Sequence, residues 1–291
     1  MKTKAKKVIT NDFLSFSSVI SRAIIENSST QLSQRDLEFL LSNKNNNSFV
    51  SDHFEDLYFS DTDNKFIDIV RYNIDLLENP NKRAVALAAL IRACIKKRPR
   101  GVFTFVGHRY DDGRLDIKKP IVDHFLENVA IFNNAVFDNG YQCEAYNNDI
   151  FSVKVAADLV YFDPPYFTPN SDNDYVRRYH FVEGLSRNWE NIELQQHTTT
   201  KKFRSYDSPF ARKDQAYLAF ESLISIYKNS IIVISYSSNA LPTKEEMIEI
   251  ISKYKSTVDV HEIDHLYSFG NQNHKIGNNS NRVKEYLFIG S

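Results

Sequence analysis

The stretch DLVYFDPPYF, residues 158–167, joins two habits that rarely meet. DLVYF is a short apolar run of the kind that makes a buried strand. It stops on Asp163, two prolines and two aromatics. In open α/β sheets the ligand crevice lies outside the carboxyl ends of the strands, and Asp163 stands at such an end. Pro164 and Pro165 have a restricted φ and no N–H, so they hold a rigid, extended turn. Such a turn exposes backbone carbonyls that have no ladder partner. Asp163 and the Pro164 carbonyl become two acceptors side by side, and their natural guest is a planar NH2 group. Tyr166 adds a flat face on which a nucleobase can stack. The plainer alternative is a structural turn with an exposed tyrosine.

Outward from this stretch, strands alternate with helices. KKVITNDF (6–13) reads as a strand ending in an acid, followed by a helix with apolar spacing at Val19, Ile20, Ala23, Ile24 and Ile25. Residues 33–80 read as helical and loop pieces, and NKNNNS (43–48) as a surface loop. NKRAVALAALIRACIKKRPRG (81–101) is the clearest helix, ended by Pro99 and Gly101. VFTFVG (102–107) reads as a short strand, residues 121–140 as an amphipathic helix, and YQCEAYNND (141–149) as a strand ending in acid. After a long polar, aromatic and basic excursion at 168–210 come a helix over 211–229 and the strand SIIVISYSS (230–238). A helix over 243–255 follows, opened by Thr243 with Glu246 three residues on, and then two closing strands. The pattern predicts a parallel or mixed sheet with helices on both faces.

Composition narrows the function. Lys+Arg 36 against Asp+Glu 37 gives a net charge of -1, so a basic surface for nucleic acid has to be local. Cys94 and Cys143 lie far apart with no metal-ligand spacing. No apolar run approaches the length of a membrane span, and the sequence reads as a soluble cytoplasmic protein with no metal. No Ser/His/Asp order, H-E-x-x-H, P-loop or C-x-x-C supports another chemistry.

These motifs resemble the adenine-specific N6 DNA methyltransferases of the Dam-like (D12) group. The matching pieces are DLVYFDPPYF, EAYNNDIF (144–151), VITNDF (8–13), YHFVEGL (179–185), IIVISYSS (231–238) and VKEYLFIG (283–290), in order along nearly the whole chain. The resemblance implies a Rossmann-like α/β sheet that uses S-adenosylmethionine. It implies a target adenine flipped from double-stranded DNA and held by Asp163, Pro164, Pro165 and Tyr166, with Phe167 lining the same pocket. Asp163 and the Pro164 carbonyl would accept from N6. Asp12 would take the cofactor's ribose hydroxyls. Asp149 would contact its adenine, with Ile150 and Phe151 packing on it. An acid after a strand is also often only a helix cap, and YHFVEGL is equally a helix packed on the core. Methylation of a cytosine N4 amine or of RNA stays open, because the turn recognises an NH2 group without naming its ring. A catalytically inactive DNA-binding remnant stays open as well.

The resemblance also implies a Gly-rich loop before the acid equivalent to Asp12. The eight glycines, at 101, 107, 113, 140, 184, 270, 277 and 290, form no G-x-G and none precedes residue 101. The expectation is a sheet incomplete at its first strand, in a split chain completed by a second chain or in a truncated chain, with cofactor binding by the chain alone weak or absent; a replacement element elsewhere in the sequence stays open. Residues 1–32 and 141–291 are expected to form the catalytic part, and 33–140 an inserted, mainly helical target-recognition region. Arg92, Lys96, Lys97, Arg98 and Arg100 cluster as phosphate ligands do, or as a solvated helix end does. Arg177, Arg178, His180, Lys201, Lys202 and Arg204 stand among aromatics and fit a strand-contacting arm.

Overall fold

A computed structural model describes residues 1–4, 6–42, 47–107, 111, 113–165, 167, 174–266 and 282–291. The chain divides into two units, residues 1–149 with 176–204, and 150–175 with 205–291.

The first unit is built around helices. A short strand β1 (Ile9–Asn11) leads into α1 (Ser15–Ser21), which runs on as a π-helical turn, Arg22–Glu26. Helices α2 (Gln34–Leu40), α3 (Phe49–His53), α4 (Asp61–Asp75), α5 (Pro80–Lys97), α6 (Leu115–Lys118) and α7 (Ile121–Ala135) follow. Strand β2 (Glu144–Tyr146) lies parallel to β1, with Ile9 opposite Glu144 and Asn11 opposite Tyr146. Helix α8 (Tyr175–Ser186) runs from Val176 onward in this unit. The hub is α5. Asn79 caps it by accepting from the Asn81 and Lys82 N–H groups, Pro80 opens its first turn, and its residues from Ala84 to Ile91 are all buried. A helix that is apolar on every side belongs in the middle of a core. Aromatics close the core at one end: Phe54, Phe103 and Phe181 pack with Trp189. The Trp189 indole lies so close over Gly184 that a Cβ there would sit 2.2 Å from Nε1. The glycine in YHFVEGL is thus required by packing.

The second unit carries a four-stranded sheet in the order β3-β4-β6-β5. Strand β3 (Leu159–Phe162) is followed by α9 (Ala216–Ile226), β4 (Ile231–Ser237), α10 (Lys244–Ser252), β5 (Val258–Leu266) and β6 (Arg282–Gly290). β3 and β4 are parallel, and β6 is antiparallel to both β4 and β5. Thr243 and Glu246 form the reciprocal cap of α10 that the sequence predicts. Phe162, Ile232, Ile234, Tyr236 and Phe288 are buried in one cluster with Phe220, Leu223, Met247 and Ile251 of the two helices.

Three expectations change. VFTFVG is no strand: the buried Arg98 donates to the Val102, Phe105 and Gly107 carbonyls, at 3.4, 2.7 and 3.2 Å, so side-chain bonds replace a ladder there. The strands form two small sheets rather than one among the described residues. The units do not follow the expected boundaries either, because 1–32 and 141–149 group with the helical region 33–140.

Candidate functional site

In the second unit the last paired residues of the parallel strands are Phe162 and Ile234. Asp163 follows at once as an exposed residue, with Pro164 and Pro165 half-buried behind it. β4 runs on for three residues past that point. The far end of the turn is tied down: the Leu241 N–H donates to the Phe167 carbonyl at 3.0 Å, and the Tyr236 hydroxyl donates to the Leu241 carbonyl. Asp163 is therefore an exposed residue at the carboxyl ends of two parallel strands. Tyr166 lies outside the described residues. Ile150 and Phe151 are half-buried in the same unit, and the Phe151 ring stacks on Phe210 with centroids 5.6 Å apart and planes 4° from parallel.

In the first unit, Asp12 and Asp149 both follow the carboxyl ends of the parallel pair β1 and β2. The ends are laced together. The Asp12 N–H donates to the Tyr146 carbonyl (3.3 Å), and the Asn147 amide donates to the Asp12 and Phe13 carbonyls at 2.8 and 2.9 Å. Asn11 and Asn148 exchange bonds of 3.0 and 3.1 Å between side chain and backbone. The Asp12 carboxylate accepts from the Leu14 N–H at 2.8 Å and from the Ser17 side chain. Burial nevertheless outweighs these bonds and pushes its proton affinity up. The cap-like role and the ligand role are thus compatible: one carboxylate shapes the loop and stays half-buried at the strand end. Asp149 is exposed.

The basic residues separate. Arg177 and Arg204 are exposed, and Arg178, Lys201 and Lys202 are half-buried. Residues 194–203 fold back on themselves: Leu194 bridges Phe203, and the Gln195 N–H donates to the Lys202 carbonyl at 2.8 Å. Lys201 takes a φ of +45°, a conformation side-chain-bearing residues rarely hold without support. His180 departs from the expectation of a DNA contact. It is buried, with Nε2 3.0 Å from the Tyr58 hydroxyl and 3.2 Å from the Phe103 carbonyl. The Tyr58 hydroxyl also reaches the Thr200 carbonyl at 2.7 Å. His180 therefore braces the base of the basic hairpin and does not itself reach a ligand. The reason is its helix position, on the buried face of α8 beside Phe181.

In the cluster at 92–100, Arg92 and Arg100 are exposed, and the other three cations are engaged with the chain itself. Arg98 is buried over the rings of Tyr58, Phe103 and Phe105, and burial lowers its pKa to about 10, which leaves it charged at neutral pH. Lys97 pairs with Asp63 at 3.1 Å and Lys96 with Glu127 at 3.9 Å. Sequence reading missed Asn147, Glu183, Arg98 and Tyr58 as organisers. Asn147 and Glu183 do lie inside stretches that carry the resemblance, which was the available signal.

Each unit thus carries an acid just past the carboxyl ends of a parallel strand pair, Asp163 in one and Asp12 in the other. The model of the D12 class N6 adenine-specific DNA methyltransferases matches residues 1–255, and the chain belongs to that family. It is by class a transferase acting on adenine N6 in DNA, and methyltransferases of this kind use S-adenosylmethionine. The chain is 30% identical to the type II methyltransferase M2.HphI of Haemophilus parahaemolyticus, over 99% of this chain and 85% of that one. It is 28% identical to the modification methylase StsI of Streptococcus sanguinis, over 88% and 41%. With the type II methyltransferase M.NlaIII of Neisseria lactamica the identity is 24%, over 99% and 85%. The chain thus spans most of two of these relatives and less than half of StsI. No solved structure matches it. Among the described residues no helix is long and apolar enough to cross a membrane.

Proposed function

We propose that the protein methylates N6 of an adenine flipped from double-stranded DNA, in the cytoplasm, as the modification enzyme of a restriction–modification system. The observation that carries this is the exposed Asp163 on a Pro-Pro turn at the end of β3. Asp163 and the Pro164 carbonyl accept from the N6 amine and draw its lone pair out of ring conjugation. A neutral aromatic amine is a poor nucleophile, and fixed acceptors that meet it in one geometry are the help a protein can give. Phe167, and Tyr166 by its place in the sequence, supply apolar faces for the base.

The donor set fits the cofactor. Asp12 is a half-buried carboxylate with raised proton affinity, and a pair of ribose hydroxyls would give it the donors that water gives an exposed acid. Asp149 suits an amine edge, and Ile150 with Phe151 suits a flat ring. When bound, S-adenosylmethionine supplies the methyl group. Arg177, Arg178, Lys201, Lys202 and Arg204 contact phosphates.

The sheet of the second unit also supports the reading that a further strand completes a Rossmann-like core. Among the described residues nothing pairs with the outer edge of β3. Leu159, Tyr161 and Ile231 are 51%, 43% and 43% exposed on the sheet face away from α9 and α10. Parallel strands are normally covered on both faces, so bare apolar groups here suit a missing neighbour, from a second chain or from further sequence. The test measures methyl incorporation into DNA by this chain, alone and with a candidate completing chain, for the wild type and Asp163→Ala. We expect loss of about a thousandfold or more in the variant. An Asp163→Ala protein that methylates at the wild-type rate would sink the assignment.

A further inference from the structure

The loop that carries Asp12 is held at four places within five residues. Asn147 takes the carbonyls of Asp12 and Phe13 with its side-chain amide. The Asp12 carboxylate takes the Leu14 N–H. Glu183, from the YHFVEGL segment of α8, accepts the Phe16 N–H at 3.1 Å.

Glu183 is 1% exposed. Removing a carboxylate from water is costly unless it is given donors, and here it meets an N–H in the first turn of α1. Asn147 is the opposite case. It is exposed, and water would satisfy its amide and the two carbonyls nearly as well. Two such bonds add little to stability, yet they fix the peptide planes on either side of the Asp12–Phe13 bond. A buried acid and an exposed amide, from different elements, thus clamp the same short loop. What they share is the orientation of Asp12.

We infer that Glu183 and Asn147 are positioning residues that hold the Asp12 loop in the shape that receives the ribose of the cofactor. This rests on reading Asp12 as the ribose ligand. Neither residue touches the reacting atoms. Their loss acts through Asp12, so it weakens cofactor binding and leaves the amine-polarising turn alone.

The experiment uses the protein in the form that methylates DNA, and S-adenosylmethionine as the probe. Asn147→Asp keeps the size of the side chain but replaces a donor with an acceptor facing two carbonyls. It is at the surface, so the fold is expected to survive. Cofactor dissociation should rise about tenfold, as the loss of two bonds implies, with kcat at saturating cofactor and KM for DNA within about twofold. Backbone amide exchange over residues 13–17 should quicken while that of α5 stays as in the wild type. Glu183→Ala should behave likewise, and Glu183→Gln should restore binding, because its oxygen can still accept the Phe16 N–H. Wild-type affinity in Asn147→Asp overturns the proposal, and so does a loss accompanied by equally faster exchange in α5. Asp12→Ala is the control for the underlying reading. If it binds the cofactor unchanged, Asp12 is not the ribose ligand, whatever the other variants do.

Discussion

Two basic runs of similar composition have opposite fates. At 92–100 three of the five cations serve the chain itself, with Arg92 and Arg100 exposed: Arg98 is sunk among carbonyls and rings, Lys97 holds Asp63, and Lys96 faces Glu127. At 201–204 Lys201 and Lys202 are half-buried and Arg204 is exposed, on a hairpin braced from below by Tyr58 and His180. In the N-terminal basic run one lysine turns inward, whereas Lys4, Lys6 and Lys7 are exposed. Lys2 is buried and donates to the Asn27 carbonyl at 2.8 Å, at the end of the π-helical turn that follows α1. Charge density in a sequence therefore does not mark a DNA surface. What turns a cation inward here is a set of acceptors within reach, carboxylates for Lys96 and Lys97 and carbonyls for Arg98. Arg98 bonds four, those of Tyr58, Val102, Phe105 and Gly107.

The sharpest way to break this contrast is at Arg98. Arg98→Ala strips a donor from four carbonyls and leaves a void under three rings. A cost of about 3–5 kcal/mol in unfolding free energy follows from leaving four carbonyls without that donor and opening a cavity among the rings. Arg98→Lys should recover little, because one ammonium cannot span the same fork. Denaturant melts decide it, and a loss below about 1 kcal/mol would mean the carbonyls find water instead.

The converse test is at the hairpin. Replacing Lys201, Lys202 and Arg204 together by Ala should leave the melt nearly unchanged. DNA affinity should fall, and the slope of log K against log salt should become shallower by up to about 3, one step per lost phosphate contact. Replacing Lys96 and Lys97, which pair with Glu127 and Asp63, should alter that slope by less than about one unit. Equal changes in both variants would erase the distinction between inward and outward charge.

Much of the element order is legible from periodicity. The strands at 9–11, 144–146, 159–162 and 231–237, and the helices at 80–97 and 121–135, stand where the pattern puts them. α5 is readable because an alanine- and leucine-rich run with an Asn-Pro start has few other options. The place of Asp163 directly after a strand is legible because the apolar run DLVYF ends there. The rest depends on long-range bonds. VFTFVG has strand composition, but one buried guanidinium claims its carbonyls. His180 looks like a ligand next to arginines, yet helical phase turns it to the core. Asn147 carries no local signal of its role, because its partners are 134 and 135 residues away. The unit boundary between 149 and 150 is equally silent, since no Gly, Pro or charge run marks it.

The same contrast holds for the two acids, with a smaller and oppositely signed effect. Asp163 is exposed, whereas burial raises the proton affinity of Asp12. A carboxyl whose folded pKa exceeds its unfolded one is held in its protonated form by folding. Ionising it then costs stability, a cost that grows as pH rises from the ordinary carboxylate range through the raised value and is complete above it. At neutral pH the ionised Asp12 is thus a small cost to the fold, which the proposed ligand role would explain. Asp12→Asn removes the charge, while the amide oxygen can still accept the Leu14 N–H. We expect cofactor affinity to collapse but the melting temperature at neutral pH to stay level or rise, with the difference shrinking in acid, where the wild-type carboxyl is already neutral. A neutral-pH melt in which Asp12→Asn is clearly less stable than the wild type would mean that the Asp12 charge serves the loop, as Arg98 serves its own, and is not held in reserve for a ligand.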